Sequence, residues 1–101
     1  MAASPNLRYR LNRADICQIE SEITELPDGR NLYSYHRYYA GRVEGKSYIV
    51  TGVFVNSHEA GVTIVLYEQL PLIFDGGCDV ITVKYNLVEK RVVSMRCNGD
   101  A

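Results

Sequence analysis

The sequence predicts an all-β protein, a small antiparallel meander curled into a flattened barrel or a two-layer sheet. Tyr supplies 8 of the 101 residues and Trp none. Val and Ile recur in short runs, and Gly-containing turns bound those runs, a pattern that suits pleated strands better than helices. At this length one domain spans 1–101 and buries roughly 60–65% of its unfolded surface. Residues 1–6 are expected to be a flexible N-terminus.

The first firm local signal is Leu26-Pro27-Asp28-Gly29-Arg30. Pro presets φ, Asp favours a turn and Gly accepts positive φ, as in a type I turn closed by a G1 bulge. The resulting hairpin sets Ser21 opposite Tyr35 and Ile19 opposite Arg37 on one face, with Glu20 opposite His36 and Gln18 opposite Tyr38 on the other. Ile16, Ile19, Ile23 and Leu26 also recur at helical spacing, with Asn12 as an N-cap and Pro27 just past the end. The alternative is therefore an α+β fold with one helix at about 13–26 packed on an antiparallel sheet. It would remove the pairing of Glu20 with His36.

Next, Arg42-Val43-Glu44-Gly45-Lys46 reads as a three-residue loop, Val43-Glu44-Gly45, because Glu is poorly suited to the positive φ that a two-residue type I′ loop would demand of it. This register places His36 across from Gly52 and Arg37 across from Thr51. Tyr48 to Val55 is apolar on both faces and so reads as a central strand. Val62 to Glu68 makes a fourth strand, and Leu70, Leu72, Ile73 and Phe74 are expected to tuck a loop or short edge strand against the core.

Cys78 to Tyr85 and Arg91 to Cys97 close the chain as a hairpin. A five-residue loop, Asn86 to Lys90, lets Ile81 meet Met95 and Val83 meet Val93. A four-residue loop would put Cys78 within disulfide reach of Cys97, but it would also set Lys84 against Arg91. Those facing like charges favour the longer loop, which leaves Cys17, Cys78 and Cys97 as reduced thiols. It also dispenses with a surface pair between Asp79 and Arg96.

A formal net charge of −1 with 23% charged residues excludes the disordered and supercharged classes. No apolar run approaches the roughly 20 residues of a membrane span, and the first residues lack a secretory pattern, which makes the cytoplasm the expected compartment. Three widely spaced cysteines with only His36 and His58 beside them do not form a zinc framework, and no cofactor motif is present.

Chemistry concentrates in Tyr33-Ser34-Tyr35-His36-Arg37-Tyr38-Tyr39, where rings alternate with polar and charged groups. The reading adopted is a non-enzymatic binding or interaction module holding a small molecule or a protein partner on this tyrosine-rich sheet face. Its candidate ligand-binding residues are Glu20, Tyr35, His36, Arg37, Tyr38 and Phe54. Self-association into a homodimer is expected, because little chain remains to cover a second apolar face.

Two alternatives belong to other classes. In an acid–base enzyme, Glu20 would orient His36 as a proton shuttle, although no nucleophile elbow or second base accompanies it. In a single-strand nucleic-acid binder, the 33–39 strand would stack bases, against a pI of about 6.1 and the acidic neighbours Glu20, Glu22 and Glu25.

Overall fold

Asn12 caps the first element. Its side chain accepts the Asp15 backbone N–H at 3.0 Å, while Asp15 Oδ2 accepts the Asn12 N–H at 3.1 Å. This reciprocal capping box satisfies two donors that a helix start leaves unpaired. Helix α1 follows as Arg13–Ser21. The computed structural model describes residues 11–73 and 75–98, so the expected flexible segment 1–6 and Phe74 lie outside the described residues.

The hairpin expected between residues 16–26 and 30–39 does not form. Ile16 and Ile19 are buried from one face of α1, and Ile23 and Leu26 continue into the same core from the stretch after it. Helical spacing serves this burial as well as alternation would have done. Pro27–Gly29 is a 3-10 turn with Asp28 at φ 64°, and Leu32–Ser34 is a second one.

Five strands follow: β1 (Tyr35–Glu44), β2 (Ser47–Asn56), β3 (Gly61–Ile64), β4 (Gly77–Asn86) and β5 (Arg91–Asn98). They form one sheet in the order β3-β1-β2-β4-β5. β3 lies parallel to β1, and the other pairings are antiparallel. The fold is thus sheet-dominated with one short helix, and the sheet is mixed and open rather than a sequential meander closed into a flattened barrel. β2 is central, as its two-sided apolar pattern requires, and its residues 50–54 are buried.

Two registers differ from expectation. Glu44 pairs with Ser47, so the first hairpin turns on Gly45-Lys46 with φ 63° at Gly45. Glycine at the first central position is the type II′ preference, which spares Glu44 any positive φ. His36 consequently faces Val55 and Arg37 faces Phe54, instead of Gly52 and Thr51.

In the last hairpin Asn86 pairs with Arg91, a four-residue connection, but the ladder then shifts twice. Pairing Arg91 with Asn86 already removes the like-charge conflict with Lys84, and one shift, between Lys84 and Tyr85, then brings Lys84 opposite Ser94. The other lies between Gly77 and Ile81, which pair with the adjacent residues Asn98 and Cys97. This bulge brings Cys78 and Cys97 to a Cα separation of 4.5 Å, and they are joined as a disulfide. The expectation of reduced thiols assumed a straight ladder, which bulges do not respect. Cys17 is free and exposed.

Both faces of the sheet are covered. Against α1, Ile16 and Ile19 pack with Tyr35, Tyr39, Val50, Phe54, Ile81, Val83 and Tyr85. On the outer face, Leu70 packs with Ala40, Val53 and Val80, flanked by Val65 and Ile73. The expected tucked loop therefore exists, and it covers part of the face that was assigned to a partner. No helix among the described residues is long and apolar enough to cross a membrane.

Candidate functional site

Alternation along β1 divides the predicted site between the two faces. Glu20, Tyr35, Arg37 and Phe54 meet under the helix, whereas His36 and Tyr38 point to the outer face. Glu20 is carried by α1, so it contacts Arg37 and not His36. Arg37 Nε donates to Glu20 Oε2 at 2.7 Å, and Arg37 Nη1 donates to the carbonyls of Leu32 and Tyr35, each at 3.1 Å. The Tyr33 ring lies over the guanidinium at 5.1 Å.

The Tyr39 hydroxyl adds a further bond to Glu20 Oε2 at 2.8 Å, and Tyr85 donates to Glu22 Oε2 at 2.9 Å. Burial pushes the Tyr39 phenol far above its ordinary range, and the adjacent Glu20 charge adds to the effect. Tyr85 is likewise pushed up, by burial first and then by its bond to Glu22. The carboxylates of Glu20 in α1 and of Glu22, its C-cap, thus hold two core tyrosines, which fixes the helix on the sheet. Tyr35 and Phe54 are wholly buried, with ring centroids 6.4 Å apart, and leave no room for a ligand.

On the other side His36 stacks on Tyr38 with centroids 4.7 Å apart. Its Nδ1 lies 3.3 Å from the Glu59 carbonyl and its Nε2 lies 2.7 Å from Thr63 Oγ1. A carbonyl only accepts, so Nδ1 carries a proton toward Glu59, and Nε2 shares a hydrogen bond with the Thr63 hydroxyl. Both nitrogens are engaged, and the ring ties the short edge strand β3 to β1. Two cations that flank the 33–39 strand, Arg30 and Arg42, also have partners. Arg30 pairs with Asp79 at 2.9 Å. Arg42 reaches Glu44 at 3.5 Å and lies over the Tyr67 ring at 4.8 Å.

A groove of about 510 Å³ opens elsewhere on the outer face. The register lays out its floor in two rows: Thr51 and Lys84 across β2 and β4, and beside them Val53, Thr82 and Arg96 across β2, β4 and β5. Tyr67 and the segment Leu70–Ile73 form its wall. Asn98 holds that wall in place, donating to the Ile73 carbonyl at 3.0 Å and accepting the Thr82 hydroxyl at 2.6 Å. Thr51 is only 7% exposed, and its hydroxyl has no partner among the described residues. Lys84 and Arg96 are exposed and form no ion pair there, since Asp79 is held by Arg30 rather than by Arg96.

A second hollow, of about 660 Å³, lies between the start of α1 and the two hairpin turns. Its polar side chains Asp15, Gln18, Ser47 and Tyr48 all have partners, and Lys46 and Lys90 stand exposed at its rim. The first groove, which adds a nearly buried hydroxyl, Thr51, to its two cations, is the candidate site. No family model, curated protein or solved structure matches the chain.

Thr51, Lys84 and Arg96 escaped the sequence reading. The available signal was the polar face of the closing hairpin, where Lys84 and Arg96 stand two residues from Thr82 and Ser94. What covers that face depends on the path of residues 65–73, which no local pattern reveals.

Proposed function

We propose that the protein is a non-enzymatic binding module whose ligand site is the outer-face groove, not the tyrosine strand. The observation that carries this is Thr51, nearly buried at the groove floor, whose hydroxyl has no partner among the described residues and stands beside the cations Lys84 and Arg96. Lys84 and Arg96 on the same face bias the site toward anions.

A binding role in place of catalysis is supported by the engagement of the acid–base groups. Glu20, Arg37 and Tyr39 hold the helix, and His36 holds β3. The Cys78–Cys97 bond supports an oxidising compartment in place of the cytoplasm.

Thr51→Val tests the reading, since it exchanges the hydroxyl for a methyl of nearly equal size. Thermal melts with a panel of millimolar organic anions are expected to show ligand protection of the parent chain and none of the variant. Without ligand, the variant should melt at the same temperature or higher. Clear destabilisation by Thr51→Val, or a parent chain that no anion protects, overturns the proposal.

A further inference from the structure

Resting on that reading of the groove, we infer that its ligand is an amphipathic carboxylate, with the acid group between Lys84 and Arg96 and an apolar body along Leu70, Leu72 and Ile73. Lys84 pairs with Ser94 and Thr82 with Arg96. The two cations are thus diagonal neighbours on one face, with Cα atoms about 7–8 Å apart, and both long side chains can reach one anionic group. The guanidinium presents a planar fork that fits a carboxylate with two parallel bonds, while the ammonium adds a point charge. Thr51 stands directly opposite Lys84 on the neighbouring strand, so its hydroxyl is placed to donate a further bond.

The wall supplies the other half of the specificity. Leu72 is 80% exposed at the groove, while Leu70 beside it is buried. An inorganic anion would leave this apolar surface wet, and a neutral lipid would leave both cations unneutralised. The groove volume of about 510 Å³ falls within the range of roughly 300–1,000 Å³ that small-molecule sites occupy.

The test is an amide NMR titration of the full chain with four probes: octanoate, octanol, octylammonium and inorganic phosphate. Octanoate is expected to shift Thr51, Thr82, Lys84 and Arg96 saturably. The double variant Lys84→Gln with Arg96→Gln should weaken it by at least about tenfold, the loss expected for one charge-assisted hydrogen bond. Leu72→Asp should weaken octanoate without unfolding the chain, because Leu72 is a surface residue.

Octanol or octylammonium binding there as tightly as octanoate would overturn the carboxylate and leave the groove standing. Phosphate binding equally well would overturn the apolar half alone. Undiminished octanoate binding in the double variant would overturn the assignment of the cations. If no probe moves Thr51, both this inference and the groove reading fall.

Discussion

Glu20 and Arg37 meet beneath helix α1 as a two-pronged pair, with Nε 2.7 Å from Oε2 and Nη2 3.5 Å from Oε1. Their side chains are only 15% and 6% exposed. A buried pair is tolerable when the remaining donors and acceptors are also met, and here Leu32, Tyr35 and Tyr39 meet them. The contact joins the helix to the second inward position of β1, so it determines where α1 sits on the sheet.

Breaking one side of this pair leaves a buried charge alone. Arg37→Ala is expected to destabilise the chain by about 3–5 kcal/mol in denaturant melts. Arg37→Lys should recover little of the loss, because an ammonium cannot serve Glu20 and two carbonyls in one plane. The double variant Glu20→Leu with Arg37→Met should be markedly more stable than Arg37→Ala, which would show that the isolated charge is responsible.

Stability should fall at alkaline pH through Tyr39. Its phenol is raised above the ordinary value of 10.0, so the folded state keeps its proton where the unfolded chain has lost it. The contribution is complete below about pH 10 and declines above it, by about 1.4 kcal/mol per pH unit for this group. Melts recorded between pH 8 and 12 should show the decline, and Tyr39→Phe should flatten its slope.

Only Cys17 should react with a thiol reagent in the native, unreduced chain, because the other two cysteines are joined. The Cys78–Cys97 bond closes a sequence separation of 19. Its reduction is expected to cost about 3 kcal/mol, from the chain entropy restored to the unfolded state. Thiol titration with and without reductant, followed by melts of both forms, checks the two statements.

Gly52 is required by its neighbours. A Cβ there would lie 2.9 Å from Phe54 Cε1 and 2.9 Å from Tyr39 Cε1. Both rings belong to the buried core and cannot swing into solvent. Gly52→Ala should destabilise the protein by about 1–3 kcal/mol through overpacking. Gly29→Ala has open space but a φ of 65°, so any loss there arises from the backbone and not from a clash.

Much of the molecule could be read along the chain. The strand runs of β1, β2, β4 and β5 are legible, as is the central place of β2, whereas Pro27 and Gly45 marked turns without revealing their type or the registers that follow them. The Asn12 cap and the isoleucine spacing were legible too, but only as one of two readings. Ile16, Ile19 and Ile23 bury one side of a strand nearly as well as one side of a helix, so local pattern could not choose between them. The inward aromatic face of Tyr35, Tyr39, Phe54 and Tyr85 makes the choice, since it needs a covering layer that α1 provides. The candidate residues followed the same division, because Glu20, Arg37, His36 and Tyr38 could be identified as unusual without being assigned to one face.

By itself, then, the amino-acid order determined which segments from Tyr35 onward extend and roughly where the chain turns, because these follow from backbone sterics and side-chain period over a few residues. Tertiary structure decided that Glu20 meets Arg37, that Cys78 reaches Cys97, and that Thr51 lies buried beneath the 65–73 segment. Each of these joins positions at least 14 residues apart, through a bulge, a helix face or a crossing loop. Their energies are set by burial, and burial exists only once the whole chain has packed.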